Sequence, residues 1–342
     1  INPRIAAVIS PTPKSNIRIS YQSGFRNPTT QNQHIDLNVV SARLLGGLPY
    51  YAQKYNVLQN AYTVASVNNY VNTFTQNISN PAYIAAIGGK ANTGLALGDP
   101  TALAKLVPVT SIAPVKPEQV KSFDIGYNGQ FGKLFLDVSY YYNKYTNFIA
   151  GVDIRKAAGA LDLTATSITE QNVRNAQTLL TPITTPGQEN TFSLPTNLDQ
   201  TISSQGASVG LNLMMGQSYN LGANWSYNKL NQQLTGGNLS YYNTPMNKYN
   251  ITLSNRKLTE RVGFNIAYRW QQAFLWESSF ATGTVPAVGT MDGQVTYRVP
   301  AAKATFKLGG SNLLNRRYVL NYGGPTLGAI YYFSVTFDNL LN

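Results

Sequence analysis

The chain offers few side chains able to do covalent chemistry. Its 342 residues include no cysteine and one histidine, His34. Thiolate nucleophiles, disulfide frameworks and cysteine-ligated zinc are therefore excluded, and a histidine-rich metal centre lacks ligands. His34 stands near Asp36, a pairing that could move a proton. A protease of the barrel-mouth type would need a second cluster of carboxylates, and none is visible, so His34 reads as a polar loop residue. Glu118 and Asp124 share a face if they lie on one strand, but stand roughly 20 Å apart at ~3.3 Å per residue. Paired-carboxylate catalysis does not fit that distance. No phosphate loop, dinucleotide fingerprint or zinc-binding spacing is present. The expectation is a protein without catalytic residues, metal or cofactor.

What remains is binding or transport, and composition narrows it. Charged residues make up 12% of the chain, about half the ~25% of an ordinary soluble domain, alongside 23 Tyr, 28 Gly and 17 Pro. No run of ~18 apolar residues exists, so no membrane helix is expected. The net charge is +12, but Lys and Arg are scattered without a five-residue basic run. That pattern reads as a solvated basic surface and not a nucleic-acid groove. Lipid headgroups or lipopolysaccharide phosphates are partners such charges also suit.

The elements that position these residues show a period of two. In the segment 218–228, Tyr219, Leu221, Ala223, Trp225 and Tyr227 alternate with Ser218, Asn220, Gly222, Asn224, Ser226 and Asn228. Val262, Phe264, Ile266, Tyr268 and Trp270 alternate in the same way with Gly263, Asn265, Ala267 and Arg269, and Leu134 to Tyr142 repeat the pattern. Strict alternation means a strand with one apolar and one polar face. Eleven such segments are expected, near 4–10, 15–23, 119–128, 134–148, 202–213, 218–230, 247–254, 261–277, 289–297, 304–311 and 327–337. Several approach the ten or so residues that a tilted strand needs to cross a bilayer.

Their connections alternate between short turns and long loops. The long ones cover 24–118, 149–201, 231–246, 278–288 and 312–326. This parity predicts an all-β, antiparallel transmembrane barrel with its long loops outside. The rival is a soluble or cell-surface β-rich binding protein of lectin type, whose connections need not sort by parity. Within the first long loop, Val57, Leu58, Ala61, Tyr62, Ala65, Asn69 and Val71 have loosely helical spacing. Bacterial single-chain barrels have even strand numbers, so eleven strands predict the C-terminal half of a 22-stranded barrel. On that reading residues 1–342 are one barrel portion, with the first strands lying elsewhere.

Three stretches carry a resemblance. They are Tyr21-Gln22-Ser23-Gly24-Phe25-Arg26-Asn27-Pro28, then Lys116-Pro117-Glu118 with Ser122-Phe123-Asp124-Ile125-Gly126-Tyr127, and Asn312-Leu313-Leu314-Asn315-Arg316-Arg317-Tyr318. Together they resemble the C-terminal barrel of TonB-dependent outer-membrane receptors, in wording nearest to those of Bacteroidota. The resemblance implies a barrel enclosing an N-terminal plug, energised through TonB, that takes up a scarce solute across the bacterial outer membrane. Iron chelates, cobalamin, oligosaccharides and peptides are all cargo of such barrels. Implied partners are outer-membrane lipid and lipopolysaccharide, the plug and remaining strands, TonB, and a surface lipoprotein.

Residue roles follow as expectations. Charges are costly on a lipid face, so Asp124, Asp137, Arg261, Arg269, Asp292 and Lys307, on the polar faces of their strands, should look into the lumen toward the plug. Phe25, Arg26, Tyr50, Tyr51 and Tyr55, at the top of an upward strand or in the longest loop, are candidate solute contacts. Tyr241 and Tyr242 read as loop aromatics. Trp225, Tyr227, Trp270 and Trp276 fall where an aromatic girdle is expected.

Overall fold

The computed structural model describes residues 2–39, 41–183, 185–216, 218–234, 237–278 and 281–337. Eleven long strands form one sheet in which each pairs antiparallel with its neighbours in chain order. They are β1 Arg4–Thr12, β2 Ser15–Arg26, β3 Glu118–Phe131, β4 Leu134–Thr146, β5 Ile202–Met215, β6 Tyr219–Leu230, β7 Asn247–Asn255, β8 Val262–Gln271, β9 Val288–Val299, β10 Ala304–Ser311 and β11 Ile330–Phe337. All eleven expected segments are present. Most boundaries shift by a few residues, and the largest difference is that the stretch expected as 261–277 is broken after Gln271. Phe274–Glu277 instead pairs with Thr282–Val285 as a separate two-stranded ribbon, which takes Trp276 off the sheet. Among the described residues β1 pairs only with β2 and β11 only with β10, so the sheet is open.

The register turns alternation along each strand into stripes across the sheet. One stripe reads Ile9, Ile17, Tyr127, Val138, Val209, Trp225, Tyr249 and Trp270, each opposite the next. Tyr249 and Trp270 stack at 5.0 Å between centroids. The next stripe, on the other face, reads Asn16, Asn128, Asp137, Gly210, Asn224, Asn250, Arg269 and Thr290. Asn16 donates to Asn128 at 3.3 Å, and Asn250 to Asn224 at 2.8 Å. A one-residue slip at any hairpin would mix the stripes, so the two-faced pattern itself specifies register. The apolar face is open: Ile266 is 44% exposed, Leu308 64% and Phe333 65%. A contiguous face of this kind suits lipid and argues against a soluble sandwich.

The turns at one end are short, whereas the connections at the other end build a second body, the cap. Its sheet holds Asp36–Asn38, Arg43–Leu45, Thr191–Asn197, Ile149–Lys156 and Asn238–Leu239, with Ala61–Thr63 also paired to Ile149–Lys156. The helix expected near 57–71 runs instead from Val64 to Ser79. Thr63 sets its start, its hydroxyl accepting from the Ser66 N–H, while the residues just before are committed to the strand Ala61–Thr63. Its Val67 and Tyr70 pack with Leu97, Leu103, Leu106 and Leu179 in one core cluster. A second cluster joins Leu45, Val57, Ile154, Phe192 and Leu194. A third joins Phe148, Ala150, Leu198 and Ile202 at the seam with the main sheet. The segment 52–89 is therefore no loop tip but part of a packed core.

Candidate functional site

Two connected cavities open at the loop end of the polar face, between the strand tops and the cap. The smaller, about 250 Å³, is lined by Arg26, Glu118, Tyr145, Phe148, Leu230 and Tyr242, among others. The larger, about 760 Å³, shares Leu230, Ser240 and Tyr242 and extends past Asn228, Gln272 and Phe274. We call them together the mouth cavity. Its walls follow from chain order. β3, β4 and β6 end here, the segment 238–246 folds back over them, and the ribbon Phe274–Glu277 closes the far side.

Three of the four ionised groups lining this cavity, Arg26, Glu118 and Glu277, are already engaged. Arg26 bonds Glu118 at 3.0 Å, and the same carboxylate accepts from the Ile149 N–H at 2.9 Å. Glu277 accepts from the Ser240 N–H at 2.9 Å, the Ser240 hydroxyl at 2.5 Å and the Tyr241 N–H at 3.2 Å. The Asn243 side chain brackets the Glu277 backbone, donating to its carbonyl at 2.9 Å and accepting from its N–H at 2.8 Å. Tyr241 sits at φ +53° with its hydroxyl against Gly151, where any Cβ would fall 1.8 Å from that oxygen. A side chain at position 151 would therefore displace the Tyr241 hydroxyl from the cap strand. Behind this contact Asp153 is pushed up to about 6, chiefly by burial, with the Glu277 charge adding to it.

The expected contact residues divide. Arg26 lines the mouth cavity, but Phe25 alternates with it onto the apolar face and is 57% exposed. Tyr50, Tyr51 and Tyr55 lie on a separate part of the cap. Tyr50 is 62% exposed and meets Tyr51 edge-on at 5.2 Å, while the Tyr51 hydroxyl donates to the His34 carbonyl at 2.9 Å. Tyr55 donates to Asp36 at 2.8 Å, with the Arg43 guanidinium 4.3 Å from its ring centroid. Arg43 bridges Asp36 at 2.7 Å and Glu189 at 2.5 Å, and Lys54 reaches Asp36 at 2.9 Å. Burial pushes the Asp36 carboxyl up, but the bonds from Lys54, Arg43 and Tyr55 outweigh it and hold it at about 2. This network clamps the first connection to the second.

The expected lumen charges share the polar face but form no single constellation. Asp124 accepts from Ser20 and Ser122, each at 3.3 Å. Asp137 lies in the asparagine stripe. Arg269 and Asp292 form an ion pair at 2.6 Å, and Asp292 also accepts from the Asn312 N–H at 2.9 Å. Lys307 lines a polar cavity of about 1050 Å³ at the short-turn end, with Asn265, Gln294 and Thr296. Arg261 departs from expectation: it precedes β8, in the turn, its carbonyl accepting from the Arg298 N–H at 2.8 Å. Among the described residues no group of three or more His, Asp or Glu could hold a metal ion. The mouth amides were not singled out in the sequence, where asparagine and glutamine in a loop carry no distinguishing signal, and Tyr242 stood there only as a loop aromatic.

Comparison with known proteins bears on this geometry. The family model for the TonB dependent receptor-like β-barrel matches residues 1–313. No curated protein matches in sequence. Among solved structures, the siderophore receptor PirA from Acinetobacter baumannii is similar at a TM-score of 0.53 and 13% identity, over 98% of this chain and 40% of that one. The ferric enterobactin receptor PfeA from Pseudomonas aeruginosa is similar at 0.52 and 12%, over 98% and 39%. The copper transporter OprC is similar at 0.53 and 12%, over 97% and 38%. The chain thus spans about 40% of the length of these receptors. Two-faced strands of bilayer-crossing length, short turns at one end with a cap at the other, and a family match over most of the sequence lead to one conclusion: the chain belongs to the TonB-dependent receptor β-barrel family of the bacterial outer membrane.

Proposed function

We propose that this chain supplies barrel wall and external mouth to a receptor that takes a scarce solute across the outer membrane at the expense of TonB. The mouth cavity carries this reading: a lined recess on the polar face, roofed by a folded cap, at the end where solute would arrive. The open edges of β1 and β11 support placing the plug and further strands elsewhere in the receptor, with these residues as the C-terminal part of a 22-stranded barrel. On this reading Asp124, Asp137, Arg269, Asp292 and Lys307 face the lumen and the plug. Lipid and lipopolysaccharide meet the apolar face, a surface lipoprotein is a candidate partner of the cap, and no chemical step is catalysed.

The test uses the full-length receptor in its own outer membrane. Solute accumulation should require both the receptor and TonB. Replacing Tyr242 with Ala should cut accumulation by about tenfold with the barrel still assembled, the loss of roughly 1.4 kcal/mol of binding. Accumulation indifferent to loss of TonB would overturn the reading.

A further inference from the structure

Carboxamides dominate the larger part of the mouth cavity, and three of them are held at one end only. Asn228 accepts from the Tyr141 hydroxyl at 2.8 Å through Oδ1, leaving Nδ2. Asn231 donates from Nδ2 to Ser203 at 2.9 Å, leaving Oδ1. Gln272 accepts from Asn247 at 2.8 Å through Oε1, leaving Nε2. Among the described residues no protein partner meets these three remaining ends. Each amide is oriented by its anchor, so two donors and one acceptor are presented with little rotamer freedom left to lose on binding. Tyr242 and Phe274 add flat apolar surface to the same cavity.

Charge gives a second and separate indication. The charged residues lining the two cavities are Arg26 and Lys229 against Glu118 and Glu277, a formal balance of zero. Arg26 and Glu118 are spent on each other, and Glu277 on Ser240 and Tyr241. Among the described residues the exposed Lys229 is the one lining charge left without an ion pair, so a multiply charged solute would lose hydration on entering and find a single ammonium to meet it.

We propose that the mouth cavity binds a neutral, hydroxyl-rich solute, an oligosaccharide. Hydroxyls both donate and accept, as the anchored amides require, and sugar rings present apolar C–H faces to Tyr242 and Phe274. A peptide could satisfy the amides, but its ionised termini and side chains would meet the same shortage of counter-charge. The proposal rests on the transport reading.

The experiment expresses the full-length receptor in strains with and without TonB. It follows accumulation of three probes: a tritiated mixture of neutral oligosaccharides, a ferric catecholate chelate, and a mixture of tritiated short peptides. The oligosaccharides should accumulate only with TonB, with an affinity unchanged over about a tenfold range of salt, because no ion pair is screened. Gln272→Ala should weaken that affinity by about tenfold. Gln272→Glu, close in shape but charged, should weaken it at least as much, and heat-modifiable mobility on gels should report an assembled barrel for both. TonB-dependent accumulation of the chelate or the peptides without the oligosaccharides would overturn the proposal and leave transport standing. Accumulation of none of the probes in a TonB-dependent manner would likewise overturn the proposal, while the transport reading stands or falls on the TonB test above. Unaltered affinity in both Gln272 variants would remove the cavity from the site.

Discussion

The cap and the main sheet solve the same problem in opposite ways. In the cap, large apolar side chains close on one another: Tyr70, Leu45, Ile154 and Val67 are fully buried. In the sheet the same residue types face outward, and Ile5, Leu308, Tyr331 and Phe333 are each more than half exposed. A protein in water must supply its own apolar surroundings, whereas a barrel strand borrows them from lipid. Burial within the chain is therefore a measure of importance in the cap and nearly uninformative in the sheet. There the useful quantity is which face a residue occupies.

Substitutions can break this contrast. The largest effect is expected in the cap. Tyr70→Ala should cost about 3–5 kcal/mol, through a cavity beside Leu97 and Leu103 and the loss of the hydroxyl's 2.8 Å bond to the Leu97 carbonyl. Limited proteolysis should then cut the cap while heat-modifiable mobility reports an intact barrel. Loss of both together would mean that the two bodies are not separable. In the sheet, Ile266→Arg on the apolar face should cost on the order of 2–4 kcal/mol if mid-bilayer and reduce membrane assembly. Asn265→Arg, one residue along on the polar face, should be far milder, and equal effects would erase the distinction between faces.

Two titrations sharpen the comparison at smaller scale. The Asp36 carboxyl is held at about 2, below its ordinary 3.8. Its contribution is present above the unfolded value and is lost as pH falls from about 4 toward 2. Amide exchange around Arg43 and Tyr55 should accelerate over that window, and Asp36→Asn should abolish the acceleration. Asp153 has the opposite sign. Raised to about 6, it favours the folded cap most below its unfolded value of 3.8, and that advantage disappears as pH rises through 6. Asp153→Asn should slow exchange at Glu277 and Ser193 at neutral pH and flatten its pH dependence. No change would show that the Glu277 charge and the burial of Asp153 are not coupled to cap stability.

The sheet was readable from sequence because lipid on one side and a polar face on the other force strict alternation. From Tyr219 to Tyr227 and from Val262 to Trp270, each residue states its face. The same rule misleads where Phe274 and Trp276 fall by chance on the parity of Trp270, which hid the break after Gln271. The cap was not readable for a complementary reason. Ile149–Lys156 and Thr191–Asn197 are covered on both faces, so their sequences lack the period of two and passed as loop. The mouth cavity depends on three distant segments meeting, and no spacing in the chain announces that Asn228, Tyr242 and Gln272 are neighbours. Tyr55 was selected for its ring, yet the fold spends that ring on Arg43 and Asp36.

The cap is assembled from three separate excursions of the chain, 27–117, 147–201 and 231–246, and its sheet needs all three. Arg43 and Leu44 from the first lie parallel to Phe192 and Ser193 from the second, and Asn238 and Leu239 from the third pair with Gly151 and Val152. These partners are brought within reach by β2 through β6. Its long-range contacts make the cap slow to form relative to the hairpins beneath it, since loop closure must be met before they can form. The cap can therefore close only after the hairpins that bring its three excursions together have matched. A receptor whose strands were misaligned would remain without a roof, its mouth never completed, and would be distinguishable from a finished one by that fact alone.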